Sequence, residues 1–171
     1  MSTLKYFVGI DPGTTGAVAI LDPNGRLTEV VDLPNSGPEP IAMDLAALLE
    51  AIGRPDELFL GIEMPFAVSA QASASALTQG IGVGVILGVV GTLGLRHERI
   101  KPADWKRGLG LPMGKGLTST VKKRNSREHA ARYWPDMAHR WEKASQDGRA
   151  EAALIGEHTR RRYLGQESMT L

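Results

Sequence analysis

"GIDPGTTG", residues 9–16, closes an apolar run and has two chemical readings. A Gly- and Thr-rich turn after a strand can wrap phosphates with backbone N–H groups, whereas an Asp at a strand end can hold a divalent cation. The first reading needs a second phosphate-binding loop elsewhere in the chain. The second needs more carboxylates.

The stretch is similar to the first phosphate loop of the actin, sugar-kinase and heat-shock ATPase superfamily. That superfamily joins two related domains and carries a second phosphate loop, for which 171 residues leave no room. "GLGLPMGKG", residues 108–116, does not supply one. A P-loop places Gly, four residues, then Gly-Lys followed by Ser or Thr, and here those outer positions are Leu109 and Gly116. No nucleotide cofactor is expected.

Working outward from Asp11, "KYFVGI", "GAVAILD" and "LTEVVDL" read as three antiparallel strands, the last two joined by the turn signal "PNGR". "PIAMDLAALLEAIG" spaces Ile41, Leu45, Leu48, Leu49 and Ile52 as one helix face and ends on Gly53. "ELFLGIE" is a continuous apolar run, as in a strand buried on both faces, and it stops at Glu63. A helix between strands implies a parallel crossover, so Glu63 is expected to end a strand near the one ending at Asp11.

Residues 80–95 carry no charge, and Gly80, Gly84 and Gly88 recur every four residues with Gly91 close behind. That stretch is shorter than the roughly 20 residues of a membrane span, so a buried helix over 77–95 is expected and no membrane partner. The glycine spacing suits close approach, either to the sheet or to the same helix of a second subunit. "RHERI" reads as a further strand with a turn at Pro102, and "KRGLGLPMGKGLTSTVKKRN" as a mobile basic loop. "SREHAARYWP" reads as a helix capped by Ser126, and "DGRAEAALIGEHTRRRYLG" as the last helix. The fold class is α/β: a mixed five-stranded sheet, three antiparallel strands then parallel ones, flanked by helices in one domain over residues 1–171. The absence of cysteine excludes disulfides and thiolate metal sites, and the N-terminus lacks a leader pattern, so a cytoplasmic setting is expected.

The net charge of +1 hides a division. Residues 1–95 sum to −7 and residues 96–171 to +8. Such asymmetry suggests a polyanion met by the C-terminal half. Lys106, Lys115, Lys122, Lys123 and Arg124 lie in the basic run and are candidate phosphate contacts, although each alone also suits a solvated surface. Trp105, Trp134 and Trp141 read as packing anchors.

The cation reading of Asp11 gains from three further acids. Asp11 and Glu63 each close a predicted strand, while Asp147 and Glu151 are four residues apart, about 40° around a helix. Oxygen-only ligands of this kind suit Mg²⁺ or Mn²⁺, and paired ions serve phosphodiester hydrolysis. Taken singly, Asp147 also suits a helix N-cap, Glu151 a surface position and Asp11 a turn. An unpaired acid ending an apolar run, as Glu63 does, is harder to explain structurally.

At "GIDPGTTGAVAIL", "GIEMPFA", the glycine-rich helix and "DGRAEAALIGEHTRR", the sequence resembles the RuvC-type Holliday junction resolvases of the RNase H-like superfamily, especially their phage-type members. The resemblance spans nearly the whole chain. It implies that Asp11, Glu63, Asp147 and Glu151 form the metal-binding catalytic set, with two Mg²⁺ or Mn²⁺ ions. It implies further that Phe66 is a wedge at the junction, and that a lysine of the basic run offsets transition-state charge. The implied protein is a homodimer that makes paired nicks in four-way DNA. One departure is that cellular members space the last two acids three apart and end on Asp, where this chain spaces them four apart and ends on Glu. Rival readings are an RNase H-like nuclease acting on flaps, forks or RNA–DNA hybrids, an actin-like ATPase or kinase, and a non-catalytic junction-binding module.

Overall fold

The computed structural model describes residues 4–37, 39–64, 73–114 and 116–168. Alternating apolar side chains define the sheet. β1 (Tyr6–Asp11) pairs antiparallel with β2 (Ala17–Leu21), which pairs antiparallel with β3 (Leu27–Asp32). On its other side β1 pairs parallel with β6 (Leu58–Glu63), and β6 with β7 (Arg96–Ile100), giving the order β3-β2-β1-β6-β7. The mixed five-strand arrangement is the one expected from the sequence. The turn after β2 is held by the Asp22 carboxylate, which accepts from the N–H groups of Asn24 and Arg26, with Gly25 at φ 87°. Outside this sheet, β4 (Asn35–Ser36) and β5 (Glu39–Pro40) form a two-residue pair that the sequence reading did not anticipate.

Side-chain parity puts each face of the sheet against different helices. Val8, Ile10, Leu60 and Ile62 point to one face and bury against Leu45 and Leu49 of α1 (Ala42–Ile52) and Ile86 and Val90 of α2 (Ser73–Thr92). Phe7 and Ala19 point to the opposite face, which α5 (Asp147–Ser168) covers through Ala152, Ala153 and Ile155. α3 (Pro102–Gly108) and α4 (Ser119–Tyr133) close that second core with Trp105 and Ala130. Trp105, Trp134 and Trp141 are all buried there.

Small residues let α5 lie unusually close to the sheet. Gly148, Ala152 and Gly156 repeat every four residues and share one side of the helix. A Cβ on Gly156 would meet the Leu21 side chain at 2.6 Å and the Gly9 nitrogen at 3.2 Å, and one on Gly9 would collide with the Ala152 carbonyl. Close approach inside the chain is thus the work of α5, not of the glycine-spaced helix. On α2, a Cβ at Gly80, Gly84, Gly88 or Gly91 would meet nothing within 4 Å, which removes packing against the sheet as the reason for that spacing.

Three boundaries differ from the expectations. The turn at Pro102 is the first residue of α3, where a proline's fixed φ and missing N–H suit a helix start. Much of the expected loop is helix, because α4 begins two turns before Ser126, capped by the Thr118 hydroxyl, which accepts from the Val121 N–H. α2 starts at Ser73 and ends at Thr92, against the expected 77–95. Among the described residues no helix is long and apolar enough to cross a membrane.

Candidate active site

Two strands and one helix bring four acids to one place. Asp11 shares its side of β1 with Phe7, and Glu63 shares its side of β6 with Phe59; the parallel register pairs Ile10 with Ile62 one residue earlier. Both carboxylates therefore leave the strand ends toward α5. The first turns of α5 carry Asp147 and Glu151 over them, and Gly148 is the pivot, since a Cβ there would collide with the Thr15 carbonyl of the loop after β1. Arg149 fixes the same turn from the far edge, with two 2.6 Å hydrogen bonds to the Asp32 carboxylate of β3.

Each carboxylate has its own partner. Asp11 is buried and accepts from the Gly13 N–H at 3.0 Å. Glu63 accepts from the indole N–H of Trp105 at 2.7 Å. Asp147 pairs with Lys123 Nζ at 2.9 Å. Glu151 accepts from the Ser126 hydroxyl at 2.8 Å and has Lys106 Nζ at 3.5 Å. Asp147 already has helical dihedrals, φ −59° and ψ −33°, whereas an N-cap residue is non-helical. Its carboxylate serves Lys123 and not the helix end.

The electrostatics are those of crowded acids. Burial, then the charges of Glu63 and Glu151, push the Asp11 carboxyl well above the usual carboxylate range, against the pull of the Gly13 N–H. Burial also raises Glu63, and the Trp105 hydrogen bond offsets part of the shift. The hydrogen bond to Asp147 raises Lys123.

The basic candidates separate by helix angle. Lys123 reaches Asp147, and Lys106 reaches Glu151 while lying 4.8 Å over the Trp105 ring. Lys122 is exposed and turns toward α3 and the 111–113 segment. Arg124, about 200° round the helix from Lys122, pairs with Glu128 at 3.6 Å and faces the segment 135–142, away from the four acids. Phe66 and Lys115 lie outside the described residues. The sequence reading missed Trp105 and Ser126 as contacts of the acids. The available signals were that a buried indole N–H needs an acceptor and that a serine inside a helix needs a reason.

The acids offer oxygen donors only, and burial leaves two of them in need of positive charge, which is the chemistry of a hard divalent cation site. Their oxygens are tied back to protein donors, and among the described residues no three acids or histidines close round a common point. The residues fit such an ion once Asp147 exchanges Lys123 for it.

A sheet of order β3-β2-β1-β6-β7 with α1 and α2 on one face and α5 on the other is the RuvC-type, RNase H-like fold. Two solved structures share it across nearly the whole chain. The structure described as Thermus thermophilus RuvC in complex with a Holliday junction substrate has a TM-score of 0.64 and 17% sequence identity, over 92% of this chain and 95% of that one. A second Thermus thermophilus RuvC structure has a TM-score of 0.63 and 18% identity over the same shares. No family model and no curated protein matches the sequence.

Proposed function

We propose that this protein is a divalent-metal-dependent endonuclease that resolves four-way or otherwise branched DNA by paired nicks, acting as a homodimer in a cytoplasmic setting. The observation that carries the reading is the meeting of Asp11, Glu63, Asp147 and Glu151 beside Lys106 and Lys123 in a RuvC-type fold. The neighbour solved with a Holliday junction supports the choice of substrate.

In this reading the four acids hold Mg²⁺ or Mn²⁺, which when bound activates a water and stabilises the leaving oxygen of the phosphodiester. Asp11, which feels the charges of Glu63, Glu151 and Asp147, would be a ligand of such an ion. Glu63 and Glu151 are aimed by Trp105 and Ser126, so little side-chain entropy is lost on binding. Lys123, freed from Asp147, and Lys106 offer positive charge to the phosphate as negative charge builds on its oxygens. Cutting leaves 5′-phosphate and 3′-hydroxyl ends. Phe66, three residues beyond Glu63 in sequence, would stack on a base at the branch point, the role that the family resemblance implies. For the dimer, the supporting features are the unpacked glycines of α2 and the exposed Met43 and Ile81 beside them.

The test is incubation of the protein with a synthetic four-way junction, a fork, a flap and a linear duplex, with and without Mg²⁺. Mg²⁺-dependent symmetric cutting of the junction is expected. Preferred cutting of the fork or flap moves the substrate, and binding without cutting leaves only a junction-binding module.

A further inference from the structure

Beside the four acids lies a cavity of about 290 Å³ between α3, the 111–113 segment and α4. Its walls are mostly apolar: Leu111, Pro112 and Met113 on one side and Ala103 on the other. Asn125 and Ser126 of α4 are its neutral polar groups, with Lys106 and Lys122 also in the lining, and the Asn125 amide makes no side-chain hydrogen bond among the described residues. Two residues of the lining, Lys106 and Ser126, also contact the Glu151 carboxylate. The cavity therefore adjoins the Glu151 carboxylate.

We propose that this cavity is a nucleobase subsite, which takes an unstacked base of the cleaved strand and reads it through Asn125. The proposal rests on the branched-DNA reading above and names what selects the cutting position. A flat aromatic ring suits a slot whose walls are mostly apolar, while Lys106 and Lys122 in the lining can hold the phosphate attached to that base. An asparagine amide offers a donor and an acceptor side by side, the pair that a base edge presents. At a branch point the base is already partly unstacked, so extruding it costs less than in a duplex. Lys106 lies at the inner rim, where it can grip the adjoining phosphate.

The experiment uses junctions that differ only in one base at each position flanking the cut, with wild type, Asn125→Ala and Ala103→Leu. For wild type, one position discriminates among the four bases by roughly tenfold in cutting rate, the scale of one bidentate contact. Asn125→Ala reduces this to about twofold or less while still cutting. In Ca²⁺, 2-aminopurine at that position brightens on binding to wild type and stays dark with Ala103→Leu, whose longer side chain fills the cavity. Junction cutting with no base preference, or with a preference that both variants retain, overturns the subsite and leaves the nuclease reading standing. Failure of wild type to cut any branched substrate overturns the nuclease reading itself.

Discussion

The Glu63 carboxylate is held from behind by an indole that is itself fully buried, so its orientation is set before any ligand arrives. Trp105→Phe removes the N–H and leaves a smaller aromatic ring in its place. Loss of one such outer hydrogen bond is expected to raise the Mg²⁺ concentration for half-maximal cutting by about tenfold or more. Calorimetric titration with Mn²⁺ in the absence of DNA checks the same shift, and unchanged affinity contradicts a positioning role. Asp11 makes a different prediction. Because burial and the Glu63 and Glu151 charges hold its carboxyl well above the usual range, the folded protein prefers the protonated form, and ionisation costs stability as pH rises. In metal-free buffer Asp11→Asn should therefore melt above wild type at about pH 8, with the gain shrinking toward about pH 5. A gain independent of pH contradicts that account. Both residues were legible as candidate ligands, since each ends an apolar run. The Trp105 contact was not, because it joins residues 42 apart that only the sheet brings together.

At the scale of elements, α5 decides whether the site exists. Its small-residue side rests on β1 and β2, and its first turns carry half of the acids. Gly156→Val puts bulk against Leu21 and Gly9 and is expected to cost about 1–3 kcal/mol by urea unfolding. It should also reduce cutting in conditions where the protein stays folded, since Asp147 and Glu151 are displaced with the helix; a wild-type unfolding midpoint contradicts this packing account. The five strands of the main sheet and the helices α1 and α5 were legible because periodicity, turn residues and end residues agree there. α4 was legible only in its second half. Its true cap, Thr118, sits among glycines and lysines that mask the helical period, and Ser126 looked like a cap although it lies inside the helix, buried against Glu151. The glycines of α2 and α5 show the same limit: equal spacing in sequence leads outward in one helix and inward in the other.

For the whole molecule, the division of charge acquires a location. The basic half supplies α3, α4 and α5, which surround the acids donated by β1 and β6 with Lys106 and Lys123. On the far side of the sheet, α1 and α2 present Met43, Ile81 and the open glycine stripe. In the proposed dimer that side meets its copy, and a two-fold pair of sites makes the two related cuts. Gly84→Leu is expected to sediment as a monomer that still nicks one strand slowly but no longer makes paired cuts within one complex. A dimer with normal resolution would place the interface elsewhere. The central claim, that the four acids form one cutting centre, is tested most directly by single-turnover cleavage of a four-way junction in Mg²⁺ by wild type and Glu63→Gln, with binding measured alongside. The account predicts that Glu63→Gln binds the junction as tightly as wild type or more tightly, because a negative charge facing phosphate is gone, and that its cutting is abolished. Cutting by Glu63→Gln at a rate near that of wild type would contradict it.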